Sequence, residues 1–259
     1  RVRDLGAQKP VLLARDDAYG NGLLDGIGSR LLSRGLSPYL VRYPDPSSFA
    51  TEAERLDAFA SVVSSAIAAV PDADAVLLLG GVEAIEVMKA YAFGVDPGMS
   101  GDDHPAYLFS HEALPFLGEA VAETNDKLAA VVEAISPAVL DAENFAPFAT
   151  RYRLRFSDEE PQPASTLSYD ATMLGLLAYC ASPAGSDGRA LASVLGRLVG
   201  EGESPADFGT PGFVQAACEA LRAGGSVDTH GVSSPLALDP LTGELRSDYH
   251  AWTVTRSGG

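Results

Sequence analysis

Along the first half of this chain, apolar residues fall in short unbroken runs, and between the runs they recur at helical spacing. Pro10-Val-Leu-Leu-Ala-Arg15 is a run of strand length. A turn holding Asp16, Asp17, Tyr19, Gly20 and Gly22 leads into a helical stripe of Leu23, Leu24, Ile27, Leu31 and Leu32, with Gly35 as its stop. Ser37–Tyr43 predicts a second strand. Thr51 and Glu54 stand in capping-box spacing ahead of Leu56, Phe59, Val63, Ile67 and Val70. Ala73–Leu79 is almost wholly apolar and ends in Gly80-Gly81; such a run belongs in a parallel sheet covered on both faces. A third helix follows over Glu83–Phe93 with Val87 and Met88 inward, then a loop from Gly94 to Pro105 and a fourth strand over Ala106–Ser110. Leu128–Ile135 predicts a fifth strand. The first half therefore reads as alternating strands and helices, the signature of a doubly wound α/β sheet.

The second half changes character. Phe145, Phe148, Tyr152 and Phe156 share a helical spacing, and an acidic, proline-containing link spans Ser157–Ala164. Three helices are predicted next: Ser168–Ala181, one after Asp187 that buries Leu191, Leu195 and Leu198, and one opening at Thr210-Pro211. No strand separates them clearly. The end turns to strand again, with Pro235–Leu238, a turn around Asp239–Gly243, and Tyr249–Val254. Three helices with little sheet of their own need a sheet to pack on, and the first half's sheet already has its own helices.

Charge narrows the partners. The 259 residues carry a formal net charge of −17, which repels a phosphate backbone and a bare anionic membrane surface. Hydrophobic residues make up 46% and charged residues 20%, a folded globular balance. No apolar run has the length of a membrane span. Cys180 and Cys218 have no CxxC partner, and two readings stand: buried free thiols, or one disulfide joining two helices in an oxidising compartment.

Enzyme signatures are sparse. There is no Gly-x-Ser-x-Gly elbow, and Gly20-Asn-Gly22 with Gly26 misses the dinucleotide spacing by one. Asp102-Asp103-His104 reads as loop chemistry rather than a metal site, and His111, His230 and His250 are scattered. No metal and no cofactor is implied. Ligands of open α/β sheets sit at the carboxyl ends of the strands, where Tyr19 falls.

Five stretches in register carry a resemblance. DDAYGNGLLDGIGSRLLSRGL, ADAVLLLGGVEAIEVMKAYAFG, YLFSHEAL, SYDATMLGLLAY and PLALDPLTGELRSDYHAWTV resemble, in order, segments of type I periplasmic binding proteins, the leucine/isoleucine/valine-binding type of ABC-transporter receptor. The resemblance implies one complete Rossmann-like lobe, residues 1–150 and 232–259, the family's second lobe. It implies an incomplete, mainly helical lobe at 151–231, the returning part of the first lobe. The first lobe's opening stretch has no counterpart in this sequence; if it is genuinely absent, the helices from Ser168 to Gly224 are expected to expose an apolar face. Further implications are a small polar solute, an amino acid or relative, held between lobes, a membrane ABC permease as partner, and a place outside the cytoplasm with a lipid anchor. The alternative is a sensing domain of the same fold. Residue by residue, Tyr19 corresponds to the family's binding tyrosine and Glu112 to its ammonium-accepting acid; Val82, Glu83 and His111 complete the implied site. Val82 departs from the pattern, since the family's amino-acid binders commonly offer an aromatic ring there.

Overall fold

A computed structural model describes residues 1–98, 104–122, 124, 127–137, 142–183, 187–199, 204–210, 212–236 and 249–254. The chain divides into two compact units, residues 1–136 with 250–259, and residues 137–249.

Unit 1 is built on β1 (Pro10–Arg15), β2 (Tyr39–Tyr43), β3 (Ala75–Leu79), β4 (Ala106–Phe109) and β5 (Val132–Pro137), joined at one edge by β9 (Tyr249–Thr253). The strand order is β2-β1-β3-β4-β5-β9, and the pairings from β2 through β5 are parallel. Alternation along each strand divides the apolar residues between two faces. Val11, Leu13, Val76, Leu78, Tyr107 and Phe109 join one core with α2 (Glu52–Ala69) and α3 (Ala84–Val95). Leu12, Ala14, Leu77, Leu79 and Leu108 join the other with α1 (Ala18–Ser33). With both faces covered, the strands read as unbroken apolar runs.

The helix ends follow from their residues. Thr51 Oγ1 accepts the Glu54 amide while Glu54 reaches back to the Thr51 amide, the capping box in full. At the end of α1, Gly35 takes a φ of +81°, and the Leu36 and Gly35 amides return to the Leu31 and Leu32 carbonyls. Some details differ from the sequence reading. Tyr19 lies inside the first turn of α1 rather than in a preceding turn, because Asp17 caps the helix there. Leu32, next to the buried Leu31, is exposed at 57%, and Leu56, in the first turns of α2, is exposed at 42%. The fifth strand starts at Val132 rather than Leu128. Asp102 and Asp103 lie outside the described residues, and His104 is buried.

Unit 2 holds α5 (Ala142–Arg155), α6 (Pro163–Ala181), α7 (Gly188–Leu195) and α8 (Phe213–Arg222). It also holds a small parallel sheet that the sequence reading missed: β6 (Leu198–Val199), β7 (Ser204–Asp207) and β8 (Val227–His230), in the order β6-β8-β7. Phe148, Leu177, Val194, Phe208, Leu221 and Val227 are buried around it. Leu198 belongs to this sheet and not to a helix, and Leu191 and Leu195 are only half-buried. The last helix opens at Phe213 on Gly212, not at Thr210; Pro211 lies outside the described residues, as do residues 237–248 of the predicted closing hairpin. Leu154, Leu176 and Tyr179 are exposed apolar side chains of this unit. Asp170 is buried and accepts from the Val232 and Ser233 amides and the Ser233 hydroxyl at 2.6–2.9 Å, tying α6 to the loop after β8.

Cys180 on α6 and Cys218 on α8 form a disulfide, their Cα atoms 5.9 Å apart. Among the described residues no helix is long and apolar enough to cross a membrane.

The tyrosines of unit 1 give the fold an alkaline limit. Burial pushes the Tyr91 phenol up to about 12, and it holds Tyr43 and Tyr107 further above the usual tyrosine range. A group raised in the folded state contributes stability that is intact below its unfolded value, about 10, and is lost as pH climbs past it. We expect these three of the nine tyrosines to ionise only as the fold is lost, read as tyrosinate absorbance against circular dichroism. All nine titrating at an ordinary midpoint with the fold intact would contradict the packing.

Candidate functional site

In unit 1 the strand order reverses between β1 and β3, since β2 lies to one side of β1 and β3 to the other. At such a switch point the loops leaving neighbouring strands diverge, and a crevice opens at the carboxyl ends. Three segments meet there: Arg15–Tyr19 after β1, Gly80–Glu83 after β3, and Ser110–Glu112 after β4, where a 3₁₀ turn runs over His111–Phe116.

Arg15 is the hub. Its Nε donates to Asp17 Oδ2 at 2.7 Å, one terminal nitrogen donates to Glu83 Oε1 at 3.2 Å, and the other to Glu112 Oε2 at 3.2 Å. Its side chain is only 16% exposed. Burial works against its charge, but the Asp17 hydrogen bond and the surrounding carboxylates outweigh that and hold the guanidinium firmly protonated. Asp17 is fully used, because its other oxygen caps α1 at the Gly20 amide, 2.7 Å away. A side chain at Gly20 would run into the Arg15 carbonyl, so this cap requires glycine.

Glu83 is 7% exposed. Its Oε1 takes three donors: Arg15, the Tyr43 hydroxyl at 3.0 Å and the Gly81 amide at 2.9 Å. A buried carboxylate is tolerated on these terms, with a cation and hydrogen bonds on the same oxygen. Gly80 has no room for a Cβ against the Tyr43 hydroxyl and Glu83, and its carbonyl accepts from Ser110 Oγ at 2.8 Å. The two glycines therefore let the β3 loop fold tightly over an ionic floor.

Above that floor, Tyr19 Oη and His111 Nδ1 lie 3.1 Å apart, with the rings edge to face. The Arg15 guanidinium sits 5.8 Å from the centre of the Tyr19 ring. Burial pushes the Tyr19 phenol up, the Ser110 hydroxyl opposes this and the Glu112 charge adds to it, so Tyr19 stays a neutral hydroxyl. Glu112 is 37% exposed, and Val82 is exposed as well. One cation thus faces three carboxylates, and the rim is net negative.

Comparison with solved structures places this architecture. An extracellular ligand-binding receptor from Rhodopseudomonas palustris HaA2 matches with a TM-score of 0.57 at 16% identity, over 98% of this chain and 63% of that one. A solute binding protein of an ABC transporter from Rhodopseudomonas palustris BisB5, in complex with 3,4-dihydroxybenzoic acid, matches with a TM-score of 0.54 at 16% identity, over 100% and 59%. An ABC-transporter substrate-binding protein from Desulfitobacterium hafniense, in complex with Leu, matches with a TM-score of 0.50 at 13% identity, over 98% and 60%. The fold is that of the ABC-transporter substrate-binding proteins. The chain spans about 60% of the length of the structures it matches. No protein-family model and no curated protein matches the sequence.

Within this substrate-binding-protein fold, Tyr19, Val82, Glu83, His111 and Glu112 all come from the three rim segments of unit 1. Glu83, expected in the solute site, is buried beneath it as part of the ionic floor. Sequence reasoning passed over Arg15, Asp17, Tyr43 and Ser110. Arg15 had a visible signal, as the one charge closing an otherwise apolar strand. Tyr43 had none, because its partner is forty residues away. His230 pairs with Asp228 in unit 2, and His250 lies on the exposed strand β9. Among the described residues no group of three or more His, Cys, Asp or Glu is placed to hold a metal. Unit 2 has a separate pocket of about 400 Å³ lined by Phe148, Tyr152, Phe156, Tyr169, Arg151 and Arg155; it shares no residue with the rim, and Arg151 is engaged with the Gly209 carbonyl.

Proposed function

We propose that this chain is a solute-binding receptor of an ABC-type uptake system, and that the rim of unit 1 is one wall of its site. The observation that carries this is the meeting of Tyr19, His111 and Glu112 at the switch point of a substrate-binding-protein fold. Glu112 takes a solute ammonium, for which a partly exposed carboxylate in a net-negative rim is suited. Tyr19 covers the solute's apolar part and keeps its hydroxyl for hydrogen bonding. The substrate class is an amino acid or a related cationic or zwitterionic compound, delivered to a membrane permease outside the cytoplasm. The Cys180–Cys218 bridge supports an oxidising location.

The test is a thermal-shift screen of the protein against the amino acids, with 3,4-dihydroxybenzoate as the anionic comparator, repeated with Glu112→Gln. A bound solute at 100 times its Kd adds about 2.7 kcal/mol of stability. Amino acids are expected to stabilise the parent, dihydroxybenzoate is not, and Glu112→Gln is expected to lose at least tenfold in affinity, about the worth of one charged hydrogen bond. Stabilisation by no small solute, or equal affinity in Glu112→Gln, contradicts the assignment.

A further inference from the structure

We infer that Arg15 sets the head-group selectivity of the rim, admitting a solute ammonium to Glu112 and rejecting a solute guanidinium. The inference rests on the reading of Glu112 as the solute-facing acid, and it concerns how much of that acid is left for a solute.

The three carboxylates around Arg15 are unequally spent. Asp17 has one oxygen on Arg15 and the other on the helix cap. Glu83 is buried beneath the Gly80–Gly81 loop, with Arg15, Tyr43 and Gly81 on one oxygen. Glu112 is the most exposed of the three, and its Oε2 is occupied by Arg15 at 3.2 Å. Its Oε1 takes no hydrogen bond among the described residues, so on the most exposed of the three carboxylates one oxygen is left for a solute.

Arg15 is held in that position. Asp17 fixes Nε at 2.7 Å, Glu83 fixes one terminal nitrogen, and the Tyr19 ring lies over the guanidinium. Gly81 makes room for the arrangement: a Cβ there would lie 3.2 Å from the Arg15 guanidinium and 3.3 Å from Glu112 Oε2. The protein's own guanidinium thus donates to one oxygen of the Glu112 carboxylate, Oε2.

An ammonium is a compact point charge and needs one oxygen. A guanidinium is a planar fork whose advantage lies in two parallel N–H···O bonds to both carboxylate oxygens. At this rim only one is on offer, and a second guanidinium would lie beside Arg15 with like charge. The solute class is accordingly a primary amine, whether the α-ammonium of an amino acid or a simple alkylamine.

The experiment titrates isotope-labelled protein with butylamine and with butylguanidine, both protonated at neutral pH. Affinity is read from the amide shifts of Gly81, His111 and Glu112. In the parent, butylamine is expected to bind about tenfold more tightly, the worth of one charged hydrogen bond. In Arg15→Met, where both Glu112 oxygens are free, butylguanidine is expected to gain at least that factor and the preference to vanish or invert. Because Arg15→Met also strips the buried Glu83 of its cation, Arg15→Met/Glu83→Gln is measured in parallel and must show the same change. Equal binding of the two compounds by the parent overturns the inference. So does an unchanged preference in the Arg15 variants, and in that case the solute-binding reading stands. If neither compound shifts the rim amides and no amino acid does so either, the reading of Glu112 falls and the inference falls with it.

Discussion

Loss of the Cys180–Cys218 disulfide, by reduction or by Cys218→Ser, is expected to destabilise unit 2 by about 4 kcal/mol. The bridge closes a 38-residue separation, and the loop-entropy relation gives about that figure at room temperature. The residues it joins reinforce the estimate. Cys218 lies in the core with Ala217 and Leu221 of α8 and Leu177 and Ala178 of α6, while the sheet beneath these helices has strands of only two to four residues. For a unit of roughly a hundred residues, 4 kcal/mol corresponds to a fall in Tm of roughly 15 °C. Unit 1 contains neither cysteine, so hydrogen exchange after reduction should accelerate in α6 and α8 and remain slow in β1, β3 and β4. A shift in Tm of less than about 2 °C, or equal loss of protection in both units, would show that the bridge is not a structural element of unit 2.

Arg15→Met is expected to cost unit 1 about 3 kcal/mol. Breaking a buried ion pair by removing one partner costs 3–5 kcal/mol, because the other charge is left desolvated. The lower end applies, since Glu112 and Asp17 are partly solvated and their share is screened. The cost is concentrated on Glu83, which keeps only Tyr43 and the Gly81 amide. It follows that Arg15→Met/Glu83→Gln should recover roughly 2 kcal/mol relative to the single variant, a coupling that urea melts of the four members of the cycle would measure. Additive effects within about 0.5 kcal/mol would mean that the two side chains do not share a network.

The two units differ in how much of them the sequence reveals, and the reasons are local. Unit 1 is written in apolar runs long enough to leave a period. Val11–Ala14 and Ala75–Leu79 lie in strands covered on both faces, and Thr51 with Glu54 announces α2 before it begins. Unit 2 hides its sheet because Leu198–Val199 is too short to show a period and Ser204-Pro-Ala-Asp207 is polar. The start of α8 differs from the pattern because Thr210-Pro211 has the residues of a helix start, while the chain uses Gly212 at a φ of +92°. At the site, Tyr19 and Glu112 could be placed at strand ends from the pattern alone. The ionic floor could not: Arg15, Tyr43 and Glu83 come from three separated segments, and only the parallel pairing of β2, β1 and β3 brings them together.

The most direct test of a solute site on the unit 1 rim is a residue-resolved titration of the labelled protein with amino acids, beginning with L-leucine. The predicted result is a saturable shift of the Gly81, His111 and Glu112 amides, with Val11, Ala75 and Ala106 at the opposite strand ends unchanged. Shifts confined to Tyr152 and Tyr169 in the unit 2 pocket, or no saturable shift with any amino acid, would contradict it.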